Sequence, residues 1–118
     1  TVPLDPSNVE VAKMPAAGSA AQEAQEIVGE DCYVVAAFQN ISHLHLRQDG
    51  PVPCDVLVCG NSDAARNQVL ELVKSAGLVG WDAGPLANAA VVEGLTSILI
   101  GMNKRYKMKN AGFRITGN

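Results

Sequence analysis

Aromatic residues are scarce: one Trp, two Tyr and two Phe make up 4% of the 118 residues. A core built without rings must be filled by Ala, Val, Leu and Gly, a composition suited to helices packed closely on a parallel sheet. Histidine is confined to His43 and His45, which stand near each other on a predicted loop. The three cysteines, Cys32, Cys54 and Cys59, are odd in number and show no Cys-x-x-Cys spacing. A zinc centre therefore lacks its ligand set, no metal is expected, and buried free thiols are the better reading. No Gly-x-Gly-x-x-Gly follows a first strand, so the loop that cradles a dinucleotide pyrophosphate is missing from these residues. A Gly-x-Ser-x-Gly elbow is absent as well, and neither Ser62, Ser97 nor His43 has a triad arrangement around it, which leaves hydrolase chemistry without support. Basic residues are few: nine Lys and Arg against twelve Asp and Glu give a net charge of −3. Apart from the cluster at Lys104-Arg105-Tyr106-Lys107-Met108-Lys109 they are scattered, which argues against a nucleic-acid partner. The apolar runs fall short of the roughly 18–20 residues a membrane helix needs, and no signal-peptide pattern opens the chain. The expectation is no membrane and a reducing cytoplasm.

What is present is enough for a globular α/β fold, with 47% hydrophobic residues and a mean hydropathy of +0.09. Pro3, Pro6 and Pro15 break residues 1–15 into a connection. Helix formers follow from Ser19 to Val28, with Ser19 as N-cap, Glu23 in the first turn and Gly29 as the stop. Residues 33–38, Tyr-Val-Val-Ala-Ala-Phe, read as a strand covered on both faces. Asp55 to Cys59 repeats that signal, and a helix over residues 64–76 follows with Ser62 or Asp63 as its cap and Gly77 as its stop. A strand over Leu78–Trp81 completes a right-handed parallel crossover. Asp82 and Gly84-Pro85 then form a strand-to-helix turn in which Asp82 accepts from turn amides and Gly84 takes a positive φ. From Leu86 to about Arg105 the chain is a helix more apolar than one buried face requires, so it is expected to pack against a missing half-domain or a partner subunit, as a homodimer through residues 86–102. The fold class expected is the second half of a Rossmann-like parallel sheet with crossover helices, followed by that long apolar helix and a short terminal strand. Residues 1–82 form the sheet portion and 83–118 the helical portion.

Four segments occur in an order that is fairly specific when taken together. They are Ala36-Ala37-Phe38-Gln39-Asn40, Cys54-Asp55-Val56-Leu57-Val58-Cys59-Gly60, Asp82-Ala83-Gly84-Pro85-Leu86, and Asn103-Lys104-Arg105-Tyr106 with a closing Gly112-Phe113-Arg114-Ile115-Thr116-Gly117. Through nearly all of its length the chain resembles the NADPH-dependent coenzyme F420 reductases, or F420-dependent NADP oxidoreductases. Members of that family carry the Gly-rich half ahead of the position of Thr1, so the resemblance implies the carboxy-terminal portion of a longer protein.

The resemblance implies an oxidoreductase that moves a hydride between NADP(H) and the deazaflavin coenzyme F420. Such chemistry requires two flat rings face to face with water kept out, and no nucleophile or metal; accordingly no catalytic residue is assigned. It implies cofactor contacts from Gln39, Asn40 and Ile41, with Ile41 as ring spacer, and from Gly94 and Thr96. Read from the residues alone, Ile41 is an apolar loop anchor, and Thr96 back-bonds to its own helix. A glycine inside a helix, such as Gly94, costs roughly 1 kcal/mol relative to Ala, which points to a close approach by either a ring or another helix. Some family members have histidine where Gln39 stands, so no imidazole role carries over. Lys104, Arg105 and Lys107 either meet the anionic tail of the deazaflavin or form a solvated helix end. Two alternatives stand beside the reductase: a non-catalytic module that dimerises through the helix over residues 86–102, and a flavin-dependent NADPH reductase of the same fold.

Overall fold

The computed structural model describes residues 1–117; Asn118, at the end of the helical portion, lies outside them. The elements run α1 (Ala20–Val28), β1 (Val35–Ala36), α2 (His43–Arg47), β2 (Asp55–Gly60), α3 (Asp63–Ser75), β3 (Val79–Asp82), a 3-10 turn (Leu86–Asn88) and α4 (Ala89–Arg105).

The α1 helix begins where Ser19 predicts. The Ser19 hydroxyl accepts from the Gln22 amide at 3.0 Å, and Gly29, at φ +75°, ends the helix by donating its N–H to the Gln25 carbonyl. The β2–α3–β3 unit is also as read: Ser62 caps α3 by accepting from Ala65 N, Gly77 lies just past it at φ +82°, and β2 pairs with β3 in parallel, Asp55 opposite Val79 and Val58 opposite Asp82.

The first strand departs from the all-parallel expectation. It is two residues long and pairs with β2 antiparallel, Val35 opposite Gly60 and Ala36 opposite Cys59, so the three-stranded sheet is mixed, in the order β1-β2-β3. Phe38, at φ +65°, turns the chain out of the extended region and cuts the apolar run short. Because β1 already heads toward the start of β2, the intervening segment needs no long crossover helix, and α2 has only five residues. A continuous apolar run reports burial on both faces, not direction. His43 and His45, expected on a loop, lie on α2, whose N-terminus is capped by the Ser42 hydroxyl accepting from Leu44 N.

The short terminal strand is likewise not formed: residues 111–117 have no ladder. Phe113 offers one carbonyl to Asp55 N, while Ile115 N donates to the Asp55 carboxylate, so a side chain takes the place of a strand partner. Gly112 is required there, because a Cβ would collide with Cys54 Sγ.

β2 is the central element. Val56 and Val58 join Ile41, Val52, Cys54, Val73 and Leu78 in one buried cluster, whereas Cys59 joins Ala36, Leu86, Ala89 and Val92 in a second. Alternation along the strand divides the two sets. The second cluster seats α4 against the sheet. By length and composition alone, Leu86–Arg105, 20 residues of mean hydropathy 1.3, could cross a membrane, contrary to the sequence reading. The buried residues of α4 include a carboxylate, Glu93, whose oxygens accept from Ala20 N at 2.7 Å and Ala21 N at 3.2 Å, an arrangement of a packed helix capping its neighbour. Residues 10–14 run as a strap along another side of α4, with Ala12 and Met14 over Gly94 and Glu10 beside Gly101.

Candidate functional site

The turn after β1 is built by Phe38 at its positive φ and by Ile41 N donating to the Phe38 carbonyl at 3.3 Å. It brings residues 39–42 against one side of α4. Between them opens a cavity of about 200 Å³, lined on the loop side by Gln39, Asn40, Ile41 and Ser42. The helix supplies Thr96, Leu99, Ile100 and Asn103, and the carboxy-terminal segment closes it with Asn110 and Ala111.

Four of the five residues singled out from sequence meet here. Asn40 is buried and donates its amide nitrogen to the Val92 carbonyl at 2.9 Å and to Thr96 Oγ at 3.2 Å. Thr96 in turn donates to the Gln39 carbonyl at 3.0 Å, so its hydroxyl ties the loop to the helix and does not back-bond within α4. Ile41 is a member of the buried cluster, as the loop-anchor reading expects, and it also forms part of the cavity wall. The Gln39 side chain lines the cavity while its Oε1 is buried without a hydrogen-bond partner, an orphaned acceptor at the mouth of the loop. Gly94 is the exception. Ala12 and Met14 lie 3.6 and 3.8 Å from where its Cβ would be, so the close approach inferred from this glycine is made by the strap.

Sequence reasoning passed over three polar residues of the same cavity. Asn103 stands beside Lys104 and Arg105, whose charge is the stronger local signal. Ser42 and Asn110 are loop residues joined by a 2.7 Å hydrogen bond across 68 positions, a pairing that no local pattern announces.

The strand-end turn lies apart from the cavity. Asp82 Oδ1 accepts from Gly84 N at 2.8 Å and pairs with Arg66 Nε at 2.9 Å, and Gly84 has φ +86°. The Gly84 amide, and then Arg66, hold the Asp82 carboxyl below its ordinary range. Arg66, with 12% of its side chain exposed, also donates to the Gly60 carbonyl and pairs with Asp63. These groups offset one another's charge, as expected of a structural turn. Burial raises the thiols of Cys54 and Cys59, which keeps both protonated and poor nucleophiles, whereas Cys32 is exposed. Among the described residues no three His, Cys, Asp or Glu side chains gather as metal ligands. Lys104 and Lys107 are exposed at the end of α4, and Arg105 reaches back to Glu10 on the strap at 3.9 Å.

No family profile matches the chain. Individual proteins do. It is 42% identical over 104 residues to the F420-dependent NADP reductase of Methanocaldococcus jannaschii, a match covering 86% of this chain and 46% of that protein. Its relatives include F420-dependent NADP reductases. The reductase of Methanothermobacter marburgensis is 40% identical over 102 residues, covering 84% of this chain and 46% of its own length. In three dimensions the chain is similar to a crystal structure from Arthrobacter sp. FB24, provisionally assigned as an F420-dependent NADP reductase, with a TM-score of 0.75, 25% identity, and coverage of 84% of this chain and 46% of that one. The chain thus spans about half the length of the reductases it matches, and the fold is α/β, with the mixed sheet and long helix described above.

Proposed function

We propose that the chain is the carboxy-terminal, deazaflavin-side portion of an oxidoreductase that transfers a hydride between NADP(H) and coenzyme F420. The observation that carries this reading is the cavity itself: Gln39, Asn40, Ile41 and Thr96, picked from sequence for their resemblance to the reductases, line one pocket although they come from two distant segments.

The residues present fit such a group. Ile41, Leu99 and Ile100 give an apolar wall for a flat ring, and the cavity has the carboxamides of Asn40, Asn103 and Asn110 to meet a polar ring edge. When bound, coenzyme F420 supplies a deazaflavin that accepts or donates a hydride. The chain itself positions and excludes water. Ile41, anchored in the core, holds the wall rigid, and the Asn40–Thr96–Gln39 hydrogen bonds fix the loop on α4. No side chain is asked to shuttle a proton, which agrees with the buried, protonated state of Cys54 and Cys59. Gly94 serves as the seat of the strap and not as a ring contact. NADP is assigned to the remainder of the longer protein, since these residues have no Gly-rich loop. In this division residues 1–82 complete a dinucleotide domain and residues 83–118 form the deazaflavin side.

We further place the protein in the cytoplasm, in keeping with three unpaired thiols. It is a homodimer through α4, whose Val91 and Ile98 are 70% and 48% exposed on a side that neither the sheet nor the strap covers. The same stripe is what a non-catalytic dimerisation module would display. The two are separated by an assay: the longer protein carrying this segment bleaches oxidised coenzyme F420 when NADPH is added. A folded dimer without that activity would support the module instead.

A further inference from the structure

Three carboxamides of the cavity have assigned hydrogen-bond directions, and two of them face a backbone group of fixed polarity. The backbone N–H of Ala111 can only donate, so the Asn103 atom 3.1 Å from it is Oδ1. Ser42 Oγ accepts from Leu44 N and donates its own proton to Asn110 Oδ1 at 2.7 Å. The Val92 carbonyl can only accept, so Asn40 turns its nitrogen to the helix. Two amide nitrogens, of Asn103 and Asn110, and one amide oxygen, of Asn40, are therefore left over in a single cavity. None of the three has a protein partner or is a sealed orphan among the described residues.

Resting on the deazaflavin reading above, we infer that Asn103 and Asn110 are specificity-determining residues that recognise the pyrimidinedione edge of the ring. That edge presents two carbonyl oxygens flanking an N–H. Two donors and one acceptor are its complement, and the locked orientation means that no carboxamide must flip to bind. Asn110 is held at φ +57°, a conformation that Asn tolerates better than most residues. Its position is maintained from both sides: α2 is capped by the same Ser42 that orients it, and the carboxy-terminal segment is fastened through Asn103. A tricyclic ring without those carbonyls would leave the two donors unpaired in the cavity and bind less well.

The test uses the full chain and two ring probes: coenzyme F420, and an acridine of the same three-ring shape that carries no ring carbonyls. Asn110→Asp and Asn103→Asp each keep the oxygen that Ser42 or Ala111 requires while removing the donor, so either variant can stand in if the other fails to fold. The expected result is about a tenfold or greater loss of F420 affinity in each variant, little change for acridine, and an unaltered thermal midpoint. Wild-type affinity for F420 in both variants would overturn the inference and leave the deazaflavin reading intact. Failure of the wild-type chain to bind F420 at all would overturn both.

Discussion

Glu93 brings a carboxylate into an apolar interior, and the structure gives it a reason. Only 1% exposed, it satisfies two of the amides that α1 leaves unpaired, while Ser19 satisfies a third. Removing it would strand two buried donors and leave a void. Glu93→Ala should therefore lower unfolding stability by about 3 kcal/mol, and Glu93→Gln, which keeps one acceptor, by about 1 kcal/mol, as measured in urea. A second residue-scale prediction concerns pH. The folded-state carboxyl of Asp82 is held below the ordinary value of 3.8 by Gly84 N and Arg66, so its stabilisation is complete above that value. It is lost as pH falls through the lower, folded value. Asp82→Asn should lower stability near neutrality and flatten its fall below about pH 4, leaving the stability reached in acid little changed. An unchanged acid limb in the variant would show that the turn does not depend on this charge. At this scale the sequence was legible where a residue acts on its neighbours, as Ser19, Ser62, Asp82 and Gly84 do. It was silent where the partner is distant, as for Ser42 with Asn110 or Glu93 with α1.

Among the elements, the two long helices and the β2–α3–β3 unit were readable because their signals are local: caps, stops and period. Direction and pairing were not. The apolar run ending at Phe38 gives no sign of a positive φ, and the segment after Gly112 has strand-like residues yet finds Asp55's side chain instead of a ladder. Pro3, Pro6 and Pro15 mark the strap only as a connection, and its docking on α4 emerges in the fold, where Gly94 and Gly101 make room for it. Gly94→Leu should therefore displace residues 10–14 and raise their susceptibility to proteolysis. It should leave F420 affinity within about twofold, because the cavity lies elsewhere on α4. Loss of F420 binding with the strap still protected would instead return Gly94 to the ring site.

The whole molecule is organised around α4, which meets the sheet, the strap and the cavity loop on different sides and still exposes Val91 and Ile98. A helix as apolar as this one passes for a membrane span by composition, and only its buried Glu93 and its contacts with the sheet distinguish it. If the exposed stripe is a subunit interface, Ile98→Glu should shift the sedimentation coefficient from that of a dimer to that of a monomer without loss of helical content. A monomeric wild type would end that proposal and leave the cavity argument untouched. The central claim is that the cavity between residues 39–42 and α4 holds a deazaflavin. Its most direct test is a titration of coenzyme F420 into the full chain, followed by quenching of the deazaflavin fluorescence and repeated with Ile41→Asp. Saturable quenching by the wild type, lost in the variant, is the predicted result; no quenching, or quenching that Ile41→Asp does not alter, would contradict it.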